Sequence, residues 1–199
     1  MLLGALMLQS STRAQDAFGW VSHTQEVIIS LDALEGDLER AESRLRGYLL
    51  TGDQSYLQSF AKDITEANEL AAKLARLVVD NPLQESRAVD LANNAAEKGK
   101  IMAGEVQRRL AAPLGDSPDQ QGLQRSRVLM TAVTTQVAEM RDEERRLLAV
   151  RTATAQTEAG EARALLLYGS PLLALLIAGI AWLIRSLSLI HISEPTRPY

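Results

Sequence analysis

The feature that most restricts this chain is a repeat of apolar residues at alternating steps of four and three. Val27, Leu31, Leu34, Leu38, Ala41, Leu45 and Tyr48 form one stripe, and Leu57, Phe60, Ile64, Ala67, Ala71, Leu74 and Val78 form a second. A heptad stripe keeps one narrow face of a helix apolar, and helices crossing at shallow angles bury such a face. A strand would alternate with period two, and no stretch does. A weaker third stripe holds Leu91, Ala95, Met102, Val106 and Leu110, between about Pro82 and Leu110, where Gly99 and Gly104 lower helix propensity. A fourth begins near Gln124 and turns Met130, Val133, Val137, Met140 and Leu147 inward. Composition agrees with long helices. Aromatics are 4 % of the 199 residues, while Ala, Leu, Glu, Gln and Arg dominate.

The breaks between stripes are as readable as the stripes. Thr51-Gly52-Asp53 offers a glycine for the left-handed position after a helix and an aspartate to cap the next one. Asn81 is a suitable N-cap, with Pro82 at the first helical position. Ala112 to Gly122, "APLGDSPDQQG", is the only loop of any length. At 1.5 Å per residue, three helices of about 30, 28 and 30 residues each reach roughly 42–45 Å. Matched lengths with short turns predict an all-α, up-down-up-down four-helix bundle, its first and last helices directed at one end.

What lies at that end follows from Ala164 to Ile184, a run of 21 uncharged, mostly apolar residues between Arg163 and Arg185. About 20 such residues span the hydrocarbon core of a bilayer. The fourth helix is expected to enter this span without a breaker, Pro171 being tolerated in its first turns. Arg185 on the far side favours a cytoplasmic position there and places the bundle outside the cytoplasm. "MLLGALML", residues 1–8, is too short to cross and lacks both a basic leader and a small-residue cleavage site. It reads as the remnant of a truncated first transmembrane helix. "SLSLIHISEPTRPY" after Arg185 loses the helical pattern and reads as a foreign tail over residues 187–199. The expected organisation is therefore residues 1–8, a sensory-sized helical segment 9–163, a span 164–184, and residues 185–199.

Chemistry is scarce. There is no cysteine, hence no disulfide, thiolate metal site or cysteine nucleophile. The net charge of −4 is interspersed rather than blocked, and the absence of a basic face argues against nucleic acid. A phosphate loop needs glycines between a strand and a helix, so "RGYLLTGD", Arg46 to Asp53, is better read as a corner. There Gly52 terminates a helix, and Arg46 pairs with Glu42 one turn back. Gly47 costs roughly 0.5–1 kcal/mol inside a helix relative to alanine, and is tolerated where another helix comes close or the helix bends. His23 has no second His or any Cys to share a metal with. Trp20 suits an anchor at the headgroup level. The charge run Met140 to Arg151 reads as solvated pairs such as Asp142 with Arg146, and Glu143 or Glu144 with a neighbouring arginine. No catalytic residue, cofactor or metal is expected.

"WVSHTQEV" with Trp20, His23 and Thr24 comes first. "AESRLRGYLLTGDQSYLQSF" then carries Glu42, Arg46, Gly47, Tyr48, Leu49, Leu50, Thr51, Gly52 and Asp53. "LVVDNPLQESRAVDLANNAAEKGK" follows with Asn81 and Pro82, and "RDEERRLLAVR" comes last. Together these blocks resemble the third class of CHASE domain, the cyclase/histidine-kinase-associated sensory extracellular module, over about residues 20–151. The RGYLLTG block is the most specific part. Glu42-Ser43 departs from the family's usual acidic-Thr step. The resemblance implies a helical sensory bundle between two transmembrane helices, in a dimeric receptor that partners itself, the lipid bilayer and an extracytoplasmic stimulus. The most natural whole protein is a two-component histidine kinase; a diguanylate cyclase or chemoreceptor would use the same input. A membrane-anchored structural coiled coil needs only the stripes, and the Trp20–Thr24 and RGYLLTG blocks favour the sensor. The resemblance transfers no ligand-binding residue.

Overall fold

The computed structural model describes residues 2–111 and 119–191, with the side chains of residues 2, 3 and 187–191 left out. Apart from residues 52–54, 78–81 and 119, the described residues are helical, and they contain no strand. Helix α1 runs Leu2–Thr51, α2 Ser55–Leu77, α3 Pro82–Ala111 and α4 Gln120–Ala164. A π-helical turn, Leu165–Gly169, leads from α4 into α5, Ser170–His191. The chain divides into two compact units, one of Val21–Val150 and one of Met1–Trp20 with Arg151–Tyr199.

Val21–Val150 is an all-α four-helix bundle. Arg44 of α1 reaches Asp63 of α2 at 3.0 Å, and Glu26 meets Lys73 at 2.8 Å. Numbers fall along one helix as they rise along the other, so the two are antiparallel. The same holds for α3 and α4, where Gln84 meets Glu144, Asn94 meets Gln136 and Glu97 meets Arg125. Arg141 of α4 closes the ring on Asp32 and Glu35 of α1, each at 3.2 Å. The order is up-down-up-down. Its core is the predicted α1 stripe, buried from Val27 to Tyr48, with Phe60, Ala67, Ala71, Leu74 and Val78 of α2 against it. Leu91, Ala95, Met102 and Val106 of α3, with Val133, Val137 and Met140 of α4, complete it.

The corners form for the local reasons their residues suggest. Gly52 adopts φ +72°, and its N–H donates to the carbonyl of Tyr48 at 2.8 Å. This single five-to-one bond satisfies a carbonyl that the helix end leaves open. The carboxylate of Asp53 then accepts from the N–H of Ser55 at 2.8 Å, starting α2 and holding the Asp53 carboxyl below its ordinary range. At the next corner Oδ1 of Asn81 accepts from Leu83 N at 3.2 Å and Gln84 N at 3.4 Å, and α3 opens on Pro82.

The second unit holds the apolar run, which is compatible with membrane anchoring. Among the described residues one helical stretch is long and apolar enough to cross a membrane, with a mean hydropathy of 2.1 in its most apolar part. Leu167, Leu175, Ile177, Trp182 and Ile184 are all well exposed. A soluble helix of this composition would be buried. Arg151 lies 4.7 Å from the ring centroid of Trp20, a cation–π contact at the start of this unit.

Four expectations need correction. Leu110 is 50 % exposed rather than inward, because the α3 seam continues through Glu105 and leaves Leu110 to one side. Helix α4 begins at Gln120, not near Gln124, since Asp119 caps it: Oδ1 accepts from Gln121 N at 3.0 Å. The passage into the apolar run is not plain α-helix. Pro171 has no N–H to bond one turn back and its ring crowds the carbonyl there. The turn widens to π over Leu165–Gly169, and the Ser170 hydroxyl donates to the carbonyl of Leu166 at 2.6 Å. The helical pattern also persists beyond Arg185, to His191. Residues 112–118 of the expected loop and 192–199 of the expected foreign tail lie outside the described residues, as does Met1 of the expected remnant.

Candidate functional site

The RGYLLTGD block sits at the α1–α2 corner, and its side chains divide by face. Tyr48 is buried in the core and Leu49 packs against it, whereas Leu50 points outward and Thr51 is exposed. The Thr51 hydroxyl donates to the carbonyl of Gly47 at 2.7 Å and accepts from Asp53 N at 3.1 Å. Gly47 explains itself here, since a Cβ on it would stand 2.8 Å from the Tyr56 ring of α2. The missing side chain lets the ring approach α1 closely. Arg46 pairs with Glu42 one turn back.

Glu42 does more than its surface partner suggests. Its Oε2 accepts from Nζ of Lys98 on α3 at 2.7 Å. Lys98 is 0 % exposed, and its ammonium also donates to Oγ of Ser126 at 3.1 Å and to the Ser126 carbonyl at 3.4 Å. A lysine has three donors and no acceptor, so this one is fully satisfied. It ties α1, α3 and α4 at one level. Burial pushes the Glu42 carboxyl up, but the hydrogen bonds and charges of Lys98 and then Arg46 outweigh it and hold the group below its ordinary value.

Two further polar layers cross the bundle. Wholly buried Gln84 donates from Nε2 to the carbonyl of Met140 and to Oε1 of Glu144, both at 3.0 Å. Glu144 is therefore an inward residue, not part of a solvated charge run, because the seam of α4 steps from Met140 by four. On its outer face Arg146 pairs with Glu143 at 2.7 Å and Arg145 with Asp142 at 3.6 Å, so the expected Asp142–Arg146 partnership is not formed. Between α1 and α2, buried Asp37 and Asp63 stand with Glu66, their carboxylate oxygens within 4.8 Å of one another. Arg40 bonds Asp37, and Arg44 lies 3.0 Å from Asp63. These guanidiniums supply the compensation a cation would. Burial, with Glu66 and Asp63 nearby, raises the Asp37 carboxyl despite Arg40.

At the other end of the bundle His23 is half-buried, its Nε2 3.8 Å from Asp80, and Thr24 is wholly buried. Asn81 and Pro82 follow Asp80 at the α2–α3 corner. Thus the sequence blocks are brought to two places: Glu42 to Asp53 at one corner, and His23, Thr24, Asn81 and Pro82 toward the opposite end. Trp20 belongs to the second unit. The blocks do not converge on one pocket.

Sequence reasoning missed Gln84, Lys98, Glu105, Ser126 and Glu144, all buried. Their signal was arithmetic. Gln84, Ala88, Leu91, Ala95, Lys98, Met102 and Glu105 step by four and three without a gap, and so do Ser126, Met130, Val133, Val137, Met140 and Glu144. A ring of such side chains can hold helices in register and can be re-paired when they shift; it offers hydrogen bonds rather than bond-making chemistry. The family model described as the CHASE3 domain matches residues 17–154. No curated protein and no solved structure matches the chain.

Proposed function

The chain belongs to the CHASE3 domain family, extracellular sensory domains of membrane signalling receptors, and from that premise we propose that it is the input part of a two-component histidine kinase. It acts as a homodimer in the plasma membrane, with the bundle in the periplasm or outside the cell. The observation that carries this reading is the helix leaving the matched region: one helical path from Gln120 to Ser186 contains both the fourth bundle helix and the apolar run.

The mechanism is mechanical. A stimulus that binds one packing of the bundle better than another shifts the population by the difference in affinity. Displacements of about 1–2 Å along or around a helix are a common form of such switching. Helix α4 is the element that carries the displacement toward the output. Its inner face is partly polar, at Ser126 and Glu144, and so can exchange partners when it moves.

Topology can be tested in a cysteine-free background, because the chain has none. Single cysteines replace Leu50, exposed at the corner, and Ser186 beyond the apolar run. In intact cells a membrane-impermeant maleimide should label Leu50→Cys at once and Ser186→Cys only after permeabilisation. The reverse pattern, or equal labelling of both, would overturn the proposed orientation.

A further inference from the structure

The outward faces of the bundle helices are not alike. That of α2 shows water the charges of Lys62, Glu69 and Arg76, and that of α3 those of Asp90 and Lys100, all exposed. On α4 the outward residues are Gln124, Val128, Thr131, Thr135 and Ala138, which step by four and three, are all exposed and carry no charge. The hydroxyls of Thr131 and Thr135 donate to carbonyls one turn back, those of Arg127 at 3.2 Å and Thr131 at 2.9 Å. Each threonine thus spends its one donor inside its own helix. A shallow groove of about 470 Å³ runs along Val128, Thr131, Ala132, Thr135 and Gln136. An uncharged heptad stripe is the face that one helix offers to another.

What covers this face follows from where α4 goes and from the charges beside it. The helical path of α4 runs on into the apolar run, so two copies held in one bilayer bring their α4 helices together in parallel. In a two-fold pair the same patch meets itself and must be self-complementary, which an uncharged stripe is. The next two steps of the count are Asp142 and Arg145, both exposed and paired within the chain only loosely, at 3.6 Å. Across a two-fold axis Asp142 of each copy faces Arg145 of the other, so opposite charges meet twice. The part from Val128 to Ala138 is about 15 Å long and one helix wide, about 10 Å. A standard interface takes roughly 800 Å² from each partner, so this strip needs a continuation. In the sequence the count goes on through Ala149, Thr152, Gln156 and Ala159, again without a charge.

We propose that the uncharged outward face of α4, from Val128 to Ala138, is the surface on which a second copy of this chain docks. The two copies form a parallel two-fold pair in which Asp142 and Arg145 exchange partners. This rests on the homodimer proposed above and adds which face of the bundle the second copy covers. A helix of another protein would cover the stripe but would not meet Asp142 and Arg145 in reciprocal order. Threonine and alanine are short, so the two helices approach closely and hold few interlocking side chains that would resist a small slide.

The test uses the full chain in native membranes, where its lack of cysteine allows one to be placed at a time. Under copper phenanthroline, Val128→Cys, Thr131→Cys, Thr135→Cys and Ala138→Cys should form disulfides between copies. They should do so at least about fivefold faster than Thr134→Cys on another side of α4 or Thr65→Cys on the outward face of α2. Equal rates at Thr134 or Thr65 would overturn the proposal. Slow stripe positions beside fast ones between Arg151 and Arg163 would overturn this face and leave the homodimer standing. No cross-link in either segment would remove the homodimer as well. A second readout asks which copies pair. Asp142→Arg copies and Arg145→Asp copies, differently tagged and expressed together, should pair with each other at least about fivefold in preference to themselves. Random pairing of the two would overturn the exchange of Asp142 and Arg145 between copies.

Discussion

Helices α1 and α3 lie in the same bundle and carry the same heptad rhythm, yet they present different seams. The α1 seam from Val27 to Tyr48 is apolar at every step. The α3 seam is interrupted by Gln84, Lys98 and Glu105, all buried. An apolar seam gains by burial in any register that keeps it covered. A seam with buried polar groups gains only where each finds its partner, because an unpaired one costs more than a paired one returns. The α1 stripe therefore supplies cohesion, and the α3 interruptions choose among packings. In a sensory bundle that division has a use. The element that selects the packing is also the one whose selection can be changed.

The comparison breaks most plainly on the cohesive side. Leu34→Ala, at a wholly buried position of α1, should lower stability by about 3 kcal/mol, the mid-range for a core leucine. Urea unfolding of the full chain in detergent measures it, and a loss below about 1 kcal/mol would show that α1 is not the cohesive seam. A smaller and asymmetric effect is expected on the selective side. Glu42→Gln leaves the Lys98 ammonium buried without its anion and should cost about 2 kcal/mol, less than the roughly 3–5 kcal/mol of a fully buried pair because Glu42 is partly exposed. Lys98→Met removes the buried charge and leaves Glu42 to Arg46, so its cost should stay under about 1 kcal/mol. Equal losses from the two variants would contradict the assignment.

Acid should separate two carboxylates that sit close in sequence on α1. Glu42 is held below its ordinary value of 4.5, so its contribution is present above that value and lost as pH falls through the folded one. Asp37 is raised above 3.8. Its protonated form is favoured by the fold, and stability drains away as pH rises through that raised value. Thermal midpoints between pH 3 and 7 should show a shallower acid loss for Glu42→Gln, and for Asp37→Asn a gain that grows toward neutral pH. Parallel curves for both variants and the unmodified chain would remove the distinction.

How much of this was legible depended on which property carried it. The α1 and α2 stripes, both corners and the all-α class follow from hydropathy, a positive-φ glycine and capping side chains, which are local. The polar half of the α3 and α4 seams was obscured because a reading by hydropathy passes over a lysine, although Lys98 falls on the same four-and-three count as Ala95 and Met102. Its burial depends on Glu42 and Ser126, which are 56 and 28 residues away, and no local pattern reports that. Glu144 was lost in the same way among the charges around it. Leu110 erred in the opposite sense, an apolar residue off the seam. The π turn needed Pro171 to be weighed against the turn before it rather than against lipid.

The most direct measurement of the central claim, that α4 works as one of a parallel pair and carries the signal, is a disulfide scan. Single cysteines placed in turn from Arg151 to Arg163 in native membranes should cross-link between two copies with a period near 3.5 residues, and a stimulus should change which positions lead within each turn. A profile that is flat along the segment, or one that no stimulus alters, would contradict the account.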